Sequence, residues 1–278
     1  MATRRDTSTL LPTRRPLLLG MVHLPPLPGA PDWTVPERGH GRPRPWATRA
    51  VEDAVALAEA GFDGVFVENF GDAPFHKERV PAETIASLAV ACAAVRAALP
   101  PRIAVGVNVL RNDAESALAI AASAGLDMVR VNVLAGAALT DQGVIEGRAA
   151  DVLRTRARLC PRVAILADLR VKHARALVDR PLAEEARELT GRAGADAVIV
   201  SGAATGAGVD DDELEAARGA LGDHPLLVGS GATTRSVGGL LAHADGVIVG
   251  TAIKRGGRTT ARVDPKRAAA FVRAARGA

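Results

Sequence analysis

Short apolar runs recur along the chain, and a longer stretch with a helical pattern separates each run from the next. The eight runs are rich in Val, Ile and Leu and lie at 17–22, 64–68, 103–107, 128–133, 163–168, 197–201, 226–229 and 246–250. Near-continuous apolar runs of this length are typical of strands that are buried on both faces of a parallel sheet. The pattern predicts eight parallel strands, each beginning near the first residue of its run.

The stretches between the runs carry helix signals. From Thr48, apolar residues share one face up to a stop at Gly61, and the segment 112–115 resembles a capping box. Asp264 and Pro265 form an N-cap followed by a first-turn proline. Such alternation of strands and helices fits either a closed barrel or an open doubly wound sheet.

Loop lengths distinguish these two folds. Helix-to-strand loops are short and repeat the sequence Ala-Gly-x-Asp, in which Gly supplies the left-handed residue that ends a helix, at 60–63, 124–127 and 193–196. Strand-to-helix loops are long, at 23–47, 69–81, 134–147 and 169–180. In a barrel all of these long loops emerge on one face, as in barrel enzymes. We therefore expect an α/β fold, a single (β/α)₈ TIM barrel over 16–278 preceded by a flexible tail over 1–15.

Composition narrows the class of protein. The chain has 278 residues, of which 48% are hydrophobic and 24% are charged, as in soluble globular domains. A net charge of only +4, with 3% aromatic residues and no Tyr, argues against nucleic-acid binding. Cys92 and Cys160 lack metal-ligand spacing and are expected to be free thiols of a cytoplasmic protein. The run at 17–22 is too short for an export signal, and no run is long enough for membrane insertion.

Two glycine-containing turns follow the last two runs. One turn contains Gly229, Ser230 and Gly231, and the other contains Gly250 and Thr251, with Lys254 close behind. Barrels often bind a phosphate between these two loops through backbone amides, because glycine lets the backbone approach the anion. We predict that these six residues bind phosphate; the alternative is that the glycines only close tight turns.

Polar residues cluster at the ends of the other runs. The catalytic candidates are Glu68, Asp168, Lys172 and His173, and the substrate-binding candidates are His23, Asn69, Asn108, Arg130, Asn132, Ser201 and Thr205. In a barrel these strand ends converge on one mouth, where two nearby carboxylates can share acid and base roles. The alternative for Asp168 is that it only holds Arg130 or Lys172 in a buried ion pair.

Other chemistries have weaker support. A Schiff-base aldolase needs a Lys that projects into the barrel from a strand, and none of the eight runs contains Lys, although Lys172 in a loop stays a candidate nucleophile. His23, Glu68, Asp168 and His173 offer nitrogen and oxygen ligands for a divalent metal, but no local ligand spacing supports one. We predict no cofactor and no metal site.

Several motifs together resemble the BtpA family, which includes BtpA and SgcQ-like proteins. The similarity runs from about 16 to 275 and rests on the segments 20–29, 63–75, 106–112, 130–132, 167–168, 172–173, 201–202, 205–206, 229–231 and 250–254. The resemblance implies a barrel fold. It also implies either a role like that of the cyanobacterial member associated with photosystem I biogenesis, or one like the SgcQ-like members of sugar metabolism, which are described as nucleosidases.

Two hypotheses about function follow. The first is a barrel enzyme, a nucleosidase-like hydrolase or a sugar-phosphate isomerase or lyase, whose partner is a small phosphorylated or glycosidic ligand. Phosphate would bind after the last two strands, and the carboxylates would act on the sugar. The second is a non-catalytic assembly factor for a membrane complex, which needs an exposed apolar patch such as loop 25–45 with Trp33 and Trp46. The substrate and any homo-oligomeric state stay open.

Overall fold

The computed structural model describes residues 11, 15–34, 45–178, 180–202 and 208–277. Its strands are β1 Leu17–His23, β2 Gly64–Glu68, β3 Ala104–Asn108, β4 Met128–Val131, β5 Ala137–Thr140, β6 Gly143–Glu146, β7 Ala164–Arg170, β8 Ala174–Ala176, β9 Ala197–Val200, β10 Leu226–Val228 and β11 Gly246–Val249. Its α-helices are α1 Pro45–Ala60, α2 Ala82–Ala98, α3 Ala114–Ala124, α4 Ala149–Leu159, α5 Leu182–Gly191, α6 Asp211–Leu221, α7 Val237–His243 and α8 Pro265–Arg276.

Eight of these strands form a closed parallel barrel in the order β1-β2-β3-β4-β7-β9-β10-β11, and β11 pairs with β1 to complete the ring. A helix follows every barrel strand in the chain. Each barrel strand begins at the predicted residue or one residue later. The predicted (β/α)₈ barrel is therefore confirmed, and the open sheet is excluded.

Alternate residues of each barrel strand face the interior, because side chains on a strand alternate between its two faces. Leu17, Leu19 and Met21 of β1 belong to the buried interior cluster together with Phe66 of β2. The opposite faces of the strands pack against the helices in a second, larger cluster. Leu11 also belongs to the interior cluster, so at least this residue of the predicted tail is packed; residues 1–10 and 12–14 lie outside the described ranges.

Two of the long strand-to-helix loops contain regular structure that the sequence did not predict. β5 and β6 form a hairpin within 134–147, and β8 within 169–180 pairs antiparallel with β5. This three-stranded sheet covers a small apolar cluster of Val133, Ile145 and Val171. The strands are three or four residues long and of mixed polarity, so they lack the apolar runs that identified the barrel strands.

Helix starts agree in part with the predictions. Asp264 caps α8 by accepting the amides of Lys266 and Arg267, as predicted. The predicted capping box at 112–115 is wrong in detail, because Asp113 is the N-cap of α3. The side chain of Asn112 instead bonds the amide and carbonyl of Val133, at 2.8 and 2.9 Å, and so ties two loops together at the mouth.

The short helix-to-strand junctions form a repeated ring at the opposite end of the barrel. The Asp of each Ala-Gly-x-Asp junction accepts a 2.8 Å hydrogen bond from the amide of a residue near the start of the preceding strand, and Asp245 before β11 makes the same contact. An Arg from an even-numbered helix binds each carboxylate; the pairs are Asp63–Arg276, Asp127–Arg96, Asp196–Arg156 and Asp245–Arg218.

Candidate active site

A polar layer closes the apolar interior at the carboxyl ends of the strands. The inward-facing series of β1 runs Leu17, Leu19, Met21 and then His23, so the last inward position is polar. The corresponding last positions in β2, β3, β4 and β7 are also polar and buried; they are Glu68, Asn108, Arg130 and Asp168. Polar residues of different strands therefore meet in one layer at the mouth.

Asp168 and Arg130 form the centre of this layer. Nε and Nη2 of Arg130 donate to the two carboxylate oxygens of Asp168 at 3.0 and 2.7 Å. Asn132 donates to the carboxylate at 2.8 Å, and the Ser201 hydroxyl donates at 3.3 Å. Burial disfavours the charge on Arg130, but attraction to Asp168 outweighs burial and raises the pKa of the guanidinium.

Asn108 extends this network towards the neighbouring strand. Its amide donates to the carbonyl of Arg130 at 3.2 Å and to the side-chain oxygen of Asn132 at 3.1 Å. Asn132 is thereby oriented so that its own amide faces Asp168. Asn108, Asn132 and Ser201 thus help to hold the ion pair in one geometry.

Glu68 and His23 lie side by side on neighbouring strands. Nε2 of His23 is 3.6 Å from Oε1 of Glu68, and Nδ1 of His23 contacts the carbonyl of Thr259 at 3.0 Å. Burial raises the pKa of Glu68 even though Arg130 and Lys172 favour its ionised form. Burial, together with the charge of Lys254, lowers the pKa of His23 well below its usual value. A neutral His23 that donates from Nδ1 presents the lone pair of Nε2 to Glu68.

Lys172 and His173 follow β7 in the fifth strand-to-helix loop of the barrel. Burial is the main factor that lowers the pKa of Lys172, and the charge of Arg130 adds to it. Arg111 donates to the carbonyl of Lys172 at 2.7 Å. His173 has a left-handed backbone, with φ of 56°, and its side chain is exposed rather than directed into the mouth.

A cavity of about 590 Å³ joins the mouth to the two glycine turns. Its lining includes Glu68, Arg130 and Lys172 together with the turns 229–231 and 250–252. Gly229 and Gly250 pack closely against their neighbours, since a Cβ at Gly229 would lie 2.8 Å from the Ser201 hydroxyl and one at Gly250 would lie 3.0 Å from the His23 ring.

Backbone amides along the two turns have no acceptor among the described residues. They are the amides of Gly231, Ala232, Thr251 and Ala252. Arg235 and Arg267 add positive charge to the lining of the same cavity. Free amides and guanidinium groups together form an environment suited to an anion.

Besides His173, two predicted site residues lie away from the cavity. Lys254 is fully buried beside α1, with Nζ 3.7 Å from a carboxylate oxygen of Asp53, and burial lowers its pKa to about 8. The side chain of Asn69 bonds the amide of Leu110 at 2.8 Å and the carboxylate of Asp72 at 3.1 Å, so it joins two loops.

The predicted set divides as follows. The cavity is lined by His23, Glu68, Arg130, Lys172, Gly229, Ser230, Gly231, Gly250 and Thr251. Asn108, Asn132, Asp168 and Ser201 support the lining from behind, and Thr205 lies outside the described residues. Sequence reasoning missed several residues of the mouth, namely Phe70, Arg111, Arg235, Thr259 and Arg267. Of these, Phe70 and Arg111 come shortly after the ends of β2 and β3, so their positions in the sequence could have identified them as candidates.

The described ranges contain neither a metal-binding cluster of side chains nor a helix that could cross a membrane. No group of three His, Cys, Asp or Glu side chains in those ranges is close enough to hold a metal ion. None of the helices found there has both the length and the apolar character needed to cross a membrane. Trp33 and Trp46, the expected core of an apolar patch, pack edge to face at 5.4 Å, and Trp46 is buried.

Solved structures with the same barrel are distant in sequence. Phosphoribosyl anthranilate isomerase from Thermus thermophilus is 12% identical, with a TM-score of 0.57, over 94% of this chain and all of that chain (100%). A native KDPGal structure is 16% identical, with a TM-score of 0.56, over 94% of both chains. At such identities the likeness concerns the fold alone.

Sequence relatives are much closer. The photosystem I biogenesis protein BtpA of Synechocystis is 44% identical over 92% of this chain and 87% of that protein. Uncharacterised proteins of Thermococcus kodakarensis and Caenorhabditis elegans are 45% and 32% identical, over 95% and 98% of this chain and 96% and 98% of their own lengths. The model of the BtpA family matches residues 13–277. The chain therefore belongs to the BtpA family.

Proposed function

We propose that the protein is an enzyme that binds a phosphorylated sugar or sugar-like compound in the mouth of its barrel. The observation that carries this proposal is a single cavity whose lining contains both the free amides of the two glycine turns and the titratable side chain of Glu68. A sugar phosphate has two matching parts, an anion and a carbon skeleton with exchangeable protons. The barrel neighbours that act on such compounds share only the fold, and they agree with the proposal without carrying it.

The phosphate is proposed to bind between the turns. Free amides at Gly231, Ala232, Thr251 and Ala252 would donate to its oxygens, and Arg235 would neutralise part of its charge. Lys254 has no part in this arrangement because its side chain is buried against Asp53.

Glu68 is proposed as the group that moves a proton on the sugar. Its pKa is raised by burial, which brings a carboxyl group closer to the range in which it both gives and takes protons at neutral pH. Asp168 is fully engaged by Arg130, Asn132 and Ser201, so we assign it the positioning of Arg130 rather than proton transfer. Both isomerisation and cleavage of a glycosidic bond need such a proton-transferring group, and the choice between them stays open.

Ligand-induced stabilisation tests the binding part of this proposal. A bound ligand at about 100 times its Kd stabilises a protein by about 2.7 kcal/mol. We expect ribose 5-phosphate to raise the melting temperature more than ribose or inorganic phosphate alone. Arg235→Gln should weaken the binding of ribose 5-phosphate about threefold to tenfold, because one charged contact is lost.

Arg158→Gln is the matched control, since Arg158 is exposed near the end of α4 and does not line this cavity. Stabilisation by ribose 5-phosphate that is equal in both variants would place the anion site elsewhere. Stabilisation by nucleosides alone would favour an unphosphorylated glycoside as the ligand.

A second candidate function is the binding of a partner protein during assembly of a larger complex. Leu139, Leu177 and Val178 are 49%, 51% and 68% exposed around the three-stranded sheet, away from the tryptophans considered earlier. A relative at 44% identity is named for photosystem I biogenesis. Replacing Leu177 and Val178 with Asp should abolish an assembly role and leave binding of ribose 5-phosphate unchanged, so the two functions are separable.

A further inference from the structure

The side chain of Lys172 brings an amine to the lining of the cavity. The structure describes no hydrogen bond and no ion pair between its ammonium group and any residue in the described ranges. The nearby acidic side chains already have other contacts, because Asp168 is held by Arg130 and Glu68 lies against His23. Burial and the neighbouring charge of Arg130 disfavour the ammonium form and outweigh the attraction to Glu68 and Asp168, so this position favours the neutral amine.

The backbone around Lys172 is held in place. Arg111, itself buried, binds the Lys172 carbonyl at 2.7 Å. The next residue, His173, has the left-handed φ of 56°, which is unusual for a residue other than glycine. Such conformations cost energy and persist where the surrounding structure enforces them, often at functional sites. The side chain of Lys172 is thereby kept in the same cavity as Glu68 and Arg130.

We propose that Nζ of Lys172 forms a Schiff base with the carbonyl carbon of a phosphorylated aldehyde or ketone sugar bound in the cavity. The sequence disfavoured this chemistry because none of the strands contains Lys. In the structure the amine reaches the mouth from a loop instead. The inference rests on the proposed function, since it needs a carbonyl compound whose phosphate occupies the glycine turns.

The reaction uses only groups present in the cavity. The neutral amine adds to the carbonyl carbon, and a proton moves from nitrogen to oxygen to give a carbinolamine. Protonated Glu68 then donates its proton to the hydroxyl group, which leaves as water, and the nitrogen lone pair forms the C=N bond of an iminium ion. The iminium ion withdraws electrons from the adjacent carbon, so loss of a proton or cleavage of a C–C bond at that carbon becomes easier.

Reductive trapping tests this step directly. The full-length protein is incubated with ribose 5-phosphate and sodium borohydride, and the modified peptide is identified by mass spectrometry. The chain has only four lysines, Lys77, Lys172, Lys254 and Lys266, so assignment is unambiguous. Lys77 and Lys266 are exposed and serve as internal controls. We expect at least about 10-fold more label on Lys172 than on either control, because the bound phosphate raises the local concentration of the aldehyde.

Three comparisons decide the result. Lys172→Arg should lose the label, whereas Lys266→Arg should keep it. Excess inorganic phosphate should reduce labelling of Lys172 and leave that of the exposed lysines unchanged. Label that is absent, or equal on Lys172, Lys77 and Lys266, overturns the Schiff-base proposal. If ribose 5-phosphate still stabilises the protein through Arg235 in that case, the proposed function stands without it.

Discussion

At the scale of single residues, Glu68 is placed where its charge is unfavourable. Its pKa is raised in the folded protein by burial, so the folded chain holds this proton more tightly than the unfolded chain does. Ionisation of Glu68 therefore lowers stability as the pH rises from the ordinary glutamate value, about 4.3, through the raised value. A group kept at such a cost fits a role in proton transfer better than a role in folding.

Glu68→Gln removes this cost. We expect the variant to melt at the same temperature as the parent or higher at pH 7.5, with the difference shrinking as the pH falls towards about 4.3. Thermal unfolding followed by circular dichroism between pH 4.5 and 8 provides the measurement. A variant that is less stable than the parent throughout this range would mean that ionised Glu68 is a structural partner of Arg130 or Lys172.

His23 should make the free energy of unfolding depend on pH in the opposite direction. Its folded pKa is lowered, so the unfolded chain binds a proton below about pH 6.5 while the folded chain does not. The free energy of unfolding should therefore decrease as the pH falls from 7.5 to 5.5. In His23→Gln this decrease should be smaller, which chemical denaturation at several pH values can measure. If the free energy of unfolding changed equally with pH in the parent and in His23→Gln, His23 would not be held neutral.

Asp168 is expected to be a structural requirement. Its carboxylate and the guanidinium of Arg130 are almost completely buried, so Asp168→Asn leaves a buried cation without its partner. Loss of one member of such a pair typically costs about 3–5 kcal/mol. Denaturant unfolding should show this loss, and the double variant Arg130→Leu with Asp168→Leu should be less destabilised than the sum of the single changes. Unchanged stability in Asp168→Asn would restore a directly catalytic role for this carboxyl group.

At the scale of elements, the junction ring explains how the helices are attached to the bottom of the barrel. The same Asp-to-amide bond of 2.8 Å occurs at four junctions, and an Arg from a helix binds each Asp. Three of these junctions were visible in the sequence as Ala-Gly-x-Asp. The fourth, at Asp245, lacks the glycine, and the pairing Arg residues lie 27 to 213 positions away from their Asp partners, so no local pattern indicates them.

The ring offers a matched comparison of burial. The Asp196–Arg156 pair is buried, whereas the Asp127 side chain is 46% exposed beside Arg96. Asp196→Asn should therefore lower the free energy of unfolding by about 3–5 kcal/mol. Asp127→Asn should lower it by at most about 1 kcal/mol, because solvent screens the exposed pair. Urea unfolding of both variants provides the comparison. Equal losses would show that the shared amide bond, rather than the ion pair, accounts for the stabilising effect.

The barrel strands could be predicted from the sequence, whereas the short strands outside the barrel could not. Barrel strands were predictable because burial on both faces forces continuous apolar runs, as in 163–168 and 246–250. β5, β6 and β8 were not, because a sheet of short strands at the surface is stabilised by tertiary pairing rather than by local pattern. The polar mouth was predictable because His23 and Glu68 continue the inward alternation of their strands.

At the scale of the whole molecule, the barrel brings together residues that are far apart in the sequence. Lys254 shows the limit of reasoning from proximity along the chain: it lies four residues after Gly250, yet a 3₁₀ turn at Thr251–Ile253 carries its side chain away from the cavity towards Asp53. Arg235 and Arg267 line the cavity, although no motif marked them. The distribution of charge around the cavity therefore needed the three-dimensional structure.

The most direct test of the central claim is a crystal structure of the full-length protein with ribose 5-phosphate bound. We expect the phosphate to lie within hydrogen-bond distance of the amides of Gly231 and Thr251, at about 2.7–3.2 Å. We also expect the sugar carbons to extend along the cavity to Glu68 and Lys172. A phosphate bound at any other place, or a sugar directed away from Glu68, would contradict the proposal that the mouth of the barrel binds a sugar phosphate.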